Sequence, residues 1–295
     1  MIDLSKKLTL AAALTLIAPA AAEEFTRTLD ADADAEILIF NTAGEIEIEG
    51  WSNNQVMVDA DMGRDVEEIY FVSDGDEVMI EVKVPNKSNH RSIDTDLVVK
   101  VPEGATIHVG GVSADITVVG VQGEQKLETV SGDIETDAFE ADIDAESVSG
   151  DIDADGRGGS IRTGVTTVSG DITLNDFSGE INGEAVNGDI EIIGGSFEKV
   201  RVETVNGDIS FQAGLHGDSR LRMETVNGAV DVELTSDLSA RVDIETFNGG
   251  INNCFGPEPR RTSKYAPGRE LKFTEGSGDG RVTIRTLNGR VTLCK

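Results

Sequence analysis

Carboxylates at a fixed place in a repeated phrase are the residues best placed to do chemistry. An Asp recurs as Asp115, Asp133, Asp151, Asp171, Asp189 and Asp208. If successive repeats stack at the interstrand spacing of ~4.8 Å, these side chains form one acidic row. Like charges ~5 Å apart repel by about 1–3 kcal/mol per pair, depending on the effective dielectric. Ca2+ prefers oxygen ligands and would relieve that repulsion. The other reading is that each Asp bonds the backbone of its own turn or splays into solvent. The glycine-rich nonapeptide of calcium-binding β-rolls is absent. Ca2+ is therefore the one cofactor the pattern suggests.

Two further groups carry chemistry. Cys254 and Cys294 each lie six residues after a repeat Asn, Asn248 and Asn288. If residues 255–281 loop out, the two coils are neighbours and the Cα atoms lie about 5 Å apart, in disulfide range. If those residues form a full coil, the gap doubles and no bond forms. Arg260, Arg261, Lys264, Arg269 and Lys272 form a basic segment against Glu258 and Glu270. It either contacts an anionic glycan or lipid headgroup, or docks on the protein's own acidic wall. His90, His108 and His216 have no metal-ligand spacing. There is no Gly-x-Ser-x-Gly motif and no phosphate loop. Asp and Glu total 55, so carboxylate pairs arise by chance and none is singled out as a glycosidase pair. No catalytic residue is assigned.

The elements that must position these groups follow from the repeat. The phrase runs Val112-Ser113-Ala114-Asp115-Ile116, then Val130-Ser131-Gly132-Asp133-Ile134, with later copies at Ser149, Ser169, Asn187, Asn206, Asn227, Asn248 and Asn288. Counted at the Ser or Asn, the spacings are 18, 18, 20, 18, 19, 21, 21 and 40. Asn41-Thr42-Ala43-Gly44-Glu45-Ile46 reads as an early, separated copy. A period near 20 indicates a solenoid or a blade array, and propeller blades need about twice that length. The flanks alternate, as in Ile190-Glu191-Ile192 and Val230-Asp231-Val232-Glu233-Leu234, which is the half-buried strand pattern. The fold class is all-β: a β-solenoid of ~20-residue coils, like a right-handed β-helix. Gly132, Gly150, Gly170, Gly188, Gly207, Gly228, Gly249 and Gly289 should permit a left-handed corner. Asn187, Asn206, Asn227 and Asn248 should form an amide ladder along the axis. Val before each corner and Ile after it should supply core rows. The corner interrupts the in/out count, so the repeated Thr is open to either face.

Residues 23–105 lack the regular beat. Alternating runs at 55–61 and 77–84, and Asp74-Gly75 between two such runs, suggest strands and a hairpin. Solenoid ends need caps, so this region reads as a β cap on a solenoid spanning 106–295, with 255–281 as an excursion. A separate binding module is the alternative.

Lys6 and Lys7, the apolar run Leu8–Ile17 and the small residues up to Ala22 read as a signal peptide cut after Ala22. Ten apolar residues fall short of the roughly 20 a membrane span needs, and no later run is long enough. The net charge of −30 is the wrong sign for nucleic acid and for anionic membrane surfaces. Aromatic residues are 4% against 38% hydrophobic, so the core is aliphatic.

The phrases Val130-Ser131-Gly132-Asp133-Ile134 and Thr204-Val205-Asn206-Gly207-Asp208-Ile209 resemble the bacterial β-strand-repeat domain labelled "putative adhesin". The resemblance runs over residues 36–295. It implies a right-handed, solenoid-like β fold and an envelope location, and it brings no catalytic residues. The first functional reading is an exported, non-catalytic binding protein or scaffold of the bacterial cell envelope, in the periplasm or at the cell surface. Its partner would be an envelope protein or polysaccharide, with self-association through a solenoid end also open. The alternatives are a glycan-cleaving β-helix enzyme and a Ca2+-binding envelope assembly factor. Sugar sites usually stack rings on aromatics, and only Trp51, Tyr70 and Tyr265 carry an indole or phenol.

Overall fold

The computed structural model describes residues 23–85, 92–157 and 159–295. The signal-peptide expectation and His90 lie outside the described residues. The described residues form 23 strands joined in one mixed sheet, with no helix among them.

The alternating pattern folds into two walls that meet at the repeated corner. The strands before the corner form one wall, here wall A. Gln125–Ser131, Ile143–Ser149, Ser160–Ser169 and Ser178–Asn187 pair in parallel, each with the next. Wall A continues through 196–206 and 220–227. The strands after the corner form wall B: Ile134–Ala138, Ile152–Gly156, Ile172–Asn175, 190–193 and 209–213. The register holds corner on corner, with Ser149 beside Ser169 and Asn187 beside Asn206. Repetition of one phrase explains this, since any slip would turn the buried set outward.

The core lies between the walls. Ile116, Ile134, Ile152, Ile172, Ile190 and Ile209 form a buried row from wall B. Leu127, Ala145, Val165, Val202 and Met223 face it from wall A. Phe197 and Phe211 pack with ring centroids 5.8 Å apart. Ile after the corner is core, as expected. Val before it is not: Val112, Val130, Val148, Val168, Val186, Val205 and Val226 are exposed. Apart from Val112, which follows Gly110-Gly111, each sits two residues after a Glu or Thr on a strand whose Thr, Ser or Ala neighbour points inward, so strict alternation turns the Val out.

Spatial order departs from chain order at both ends. Gly280–Asn288 pairs in parallel with 220–227 on one side and Ala240–Asn248 on the other. Val291–Cys294 likewise lies between Val230–Leu234 and Ile251–Asn253. The coil at 280–294 is thus inserted under the coil at 240–253. At the other end, Glu36–Trp51 sits between Thr106–Val119 and an outer coil of Glu77–Lys83 and Thr95–Pro102. Its corner aligns Gly44 with Ala114, so the early copy is a true coil.

Antiparallel strands close both ends. Glu68–Asp74 covers Glu77–Lys83, and Gln55–Met62 with Glu23–Asp30 covers Thr95–Pro102. Arg269–Thr274 covers Ala240–Asn248 and carries the short strand Arg260–Arg261. Most of the parallel edges that would template another chain are occupied in this way.

Candidate binding groove

The corner is a set of hydrogen-bond ladders running along the stack. Thr129, Ser147, Thr167, Thr204, Thr225, Thr246 and Thr286 are buried, which settles the direction of the repeated hydroxyl. Each donates to a corner carbonyl of the adjacent coil, as in Thr204 Oγ1 to Gly188 O at 3.1 Å and Thr225 Oγ1 to Gly207 O at 3.1 Å.

The corner glycines have a different cause from the one expected. None of the eight has a positive φ. A Cβ on Gly207 would instead fall well inside 3.0 Å of the Gly188 carbonyl oxygen, and the other seven meet the adjacent coil's backbone in the same way. Close coil-on-coil approach selects glycine here, not left-handed backbone.

The amide ladder exists with one insertion. Asn206 Nδ2 donates to Asn187 Oδ1 at 2.9 Å and Asn227 to Asn206 at 2.8 Å. Asn288 then donates to Asn227 at 2.8 Å, and Asn248 to Asn288 at 2.9 Å. The order is therefore 187, 206, 227, 288, 248.

The acidic row is also a ladder. Asp115, Asp133, Asp151, Asp171, Asp189 and Asp208 each accept, through Oδ1, the backbone N–H of the matching residue in the next coil at 2.7–3.0 Å. The N–H at this bend has no other ladder partner, and the carboxylate supplies one. Among the described residues, no group of three His, Cys, Asp or Glu side chains could hold a metal ion. We expect Asp171→Asn, which keeps an acceptor oxygen, to lower stability by less than about 0.5 kcal/mol. Asp171→Ala should cost about 1 kcal/mol. The thermal midpoint should be the same in Ca2+ and in chelator; a rise in Ca2+ would instead give the row a cation-binding role.

Beside the corner, wall A presents an unbroken aliphatic stripe. In spatial order the C-terminal part runs Val168, Val186, Val205, Val226, Leu287 and Phe247, each 39–49% exposed. These residues floor a groove of about 690 Å3. One residue pair back on each strand, Glu184, Glu203, Glu224 and Glu245 form its rim, with Arg285 in the same row. The rim is largely neutralised. Glu203 pairs with Arg201 at 3.1 Å and Arg222 at 3.4 Å, and Glu224 with Arg222 at 2.8 Å and Arg285 at 3.5 Å. Lys272 lies 3.3 Å from Glu245 and 3.5 Å from Asp243. The hydrogen bond with Glu245, helped by the charge of Asp243, raises the Lys272 ammonium above its usual value. That pairing is complete below the ordinary lysine value and is lost only as pH rises through the raised one, so the rim is neutralised at neutral pH.

The basic segment thus divides. Lys272 docks on the protein's own acidic wall. Arg260, Arg261, Lys264 and Arg269 make no ion pair among the described residues. Lys264 lies 5.6 Å from the ring centroid of Tyr265, which is 91% exposed. Arg269, Gly268 and Thr262 close the Phe247 end of the groove. The hairpin is held by the disulfide between Cys254 and Cys294, whose Cα atoms are 4.9 Å apart. Its half-cystines sit on adjacent strands of wall B, and such bonds belong to oxidising compartments. His108 lies 3.5 Å from Glu36, and His216 is exposed; neither is near the groove lining.

Sequence reasoning missed this groove because Val before the corner was read as core. Two signals could have found it: Val130, Val148, Val186, Val205 and Val226 each stand two residues after a Glu, and charge is unevenly divided. Residues 199–295 hold 14 Lys and Arg against 13 Asp and Glu, whereas residues 23–198 hold 9 against 41. The groove lies mostly at the end where the acid excess vanishes.

No helix of the described residues is long and apolar enough to cross a membrane. No curated protein matches the chain. Solved structures with similarity include a "putative adhesin" from Parabacteroides distasonis ATCC 8503, at 12% identity, covering 92% of this chain and 98% of that one, with a TM-score of 0.49. Another is a "putative adhesin" from Bacteroides fragilis NCTC 9343, at 12% identity, covering 92% and 97%, with a TM-score of 0.43. A "putative lipid binding protein" from Parabacteroides distasonis ATCC 8503 is 14% identical, covering 92% and 96%, with a TM-score of 0.36. The family comparison is decisive, since Toastrack (DUF4097) matches residues 28–185 and again 180–294, and with all-β coils stacked across that span the chain belongs to the Toastrack family.

Proposed function

We propose that this protein is an exported, non-catalytic binding protein of the bacterial cell envelope, built on a β-solenoid scaffold. Its binding face is the valine groove of wall A. The observation that carries this reading is the row of exposed aliphatic side chains in register from Val168 to Phe247. Soluble proteins seldom leave a long apolar row open, and such rows mark interaction surfaces. The rigid stack holds the row straight without any side chain having to order on binding. Among the described residues nothing in the groove pairs a nucleophile with a base, and Glu203, Glu224 and Glu245 are engaged with Arg and Lys. That favours binding over glycan cleavage. The signal-peptide pattern, the disulfide and the family's adhesin-labelled neighbours support the envelope location.

The test is co-sedimentation of the purified mature chain with bacterial envelope fractions and envelope polysaccharides, scoring new sugar ends in the same tubes. The expected outcome is saturable retention with no new ends. New ends that disappear after heat inactivation of the protein would establish an enzyme and sink this reading.

A further inference from the structure

We infer that the groove takes a long-chain fatty acid, with its carboxylate held between Arg261 and Arg269 and its hydrocarbon tail laid along the stripe from Phe247 towards Val168. The inference rests on the binding reading above and names the ligand class for the same face.

The lining selects among occupants. Every wall-A strand under the groove gives its backbone N–H and C=O groups to the coils on either side. A peptide lying along the stripe would therefore find no main-chain partners, which strand addition requires. A polysaccharide needs polar partners and ring faces. Here the rim carboxylates are largely paired with Arg and Lys, and Phe247 is the one aromatic residue in the lining. A second copy of the chain would bring two bodies of charge −30 together. A hydrocarbon chain asks for no hydrogen bond along its length. Five steps of ~4.8 Å from Phe247 to Val168 give a track of about 24 Å. One membrane leaflet's acyl layer is about half of a ~30 Å hydrocarbon core, so the track is long enough for such a chain.

The head end is marked independently. Arg261 and Arg269 are cross-strand partners in the hairpin. Like charges directly opposite destabilise a strand pair, and neither guanidinium has an acidic partner within ion-pair distance among the described residues. Arg269 lines the groove mouth beside Phe247. Two guanidinium groups carried on paired positions of one hairpin suit a carboxylate. A free fatty acid fits better than a bilayer, because residues 23–198, with 41 acidic against 9 basic residues, are repelled by an anionic membrane surface.

The experiment titrates palmitate, below its self-association concentration, into the mature chain by calorimetry, with hexadecanol as the uncharged comparison. Val205→Asp/Val226→Asp and Arg261→Gln/Arg269→Gln are the variants, and all are exposed or half-buried positions whose fold is checked by circular dichroism and Tm. We expect one palmitate per chain. Affinity should fall at least tenfold in the valine variant. In the arginine variant palmitate should weaken about tenfold, with hexadecanol unchanged. No saturable uptake by the folded wild type, equal uptake by the valine variant, or equal weakening of both ligands in the arginine variant would each overturn the inference. Capture by anionic phospholipid vesicles without palmitate uptake would also overturn it. If palmitate fails while envelope retention still needs Val205 and Val226, the fatty-acid assignment falls and the binding reading stands.

Discussion

Gly207→Ala is expected to destabilise the protein by about 3 kcal/mol, a large effect for one methyl group. The added Cβ meets the carbonyl of Gly188, a backbone atom with no side-chain freedom to yield. To admit it, the coils must separate. Separation stretches the Gly188 N–H bond to Asn206 O at 3.1 Å, the Ile190 N–H bond to Asp208 O at 2.9 Å and the Thr204 hydroxyl bond to Gly188 O at 3.1 Å. In a stack whose units touch only their neighbours, loss of one interface also divides the cooperative unit. The urea transition should move down and broaden. Gly217→Ala is the matched comparison, because nothing lies within 4 Å of its Cβ position; it should change stability by less than about 0.5 kcal/mol. Equal midpoints for the two variants would mean that close coil approach does not select the corner glycine.

Removing the disulfide should have an effect of similar size. Cys254 and Cys294 are 40 residues apart in the chain, and closing a loop of that length restrains the unfolded state by about 4 kcal/mol on the chain-entropy account. The loss should be local as well as global. The bond ties the outermost coil, 240–253, to the inserted coil, 280–294, and the antiparallel strand Arg269–Thr274 rests on that outer coil. In Cys254→Ser/Cys294→Ser, amide exchange should accelerate first in peptides from 240–274, and least in 143–193 at the middle of the stack. Uniform acceleration, or an unchanged pattern, would contradict this account of how the end is held.

The repeat made much of the fold readable. Alternation around a fixed corner phrase specifies short strands on either side of a bend, and identical corners specify register. The Cys pair was readable because both residues lie at one offset from a repeat Asn. What could not be read has physical reasons. Leu287-Asn288-Gly289 can stack equally well on Val226-Asn227-Gly228 or on Phe247-Asn248-Gly249, so the phrase carries no information about which coil lies between. Chain order suggested 227 beside 248, whereas the coil that ends the 40-residue interval is inserted between them. At the corner, where the bend breaks the period-2 count, the direction of Thr stayed open and Val was misplaced; Thr225 points inward to a carbonyl and Val226 outward to solvent. The acidic row was visible, but its use was not. Whether Asp189 meets a cation or the N–H of Asp208 depends on the bend geometry, and sequence does not contain it. The groove itself is a surface property of six coils at once, readable only when their order is known.

The central claim is that the valine face of wall A is where the protein binds. The most direct measurement compares two charge-matched variants for retention on envelope fractions. Val205→Glu/Val226→Glu places two carboxylates in the groove. Thr173→Glu/Gln212→Glu places them on outward positions of wall B, and each pair adds the same net charge. With Tm unchanged in both, the account predicts at least a tenfold loss of retention for the groove pair and wild-type retention for the wall-B pair. Equal retention by the two variants, or loss only in the wall-B pair, would contradict it.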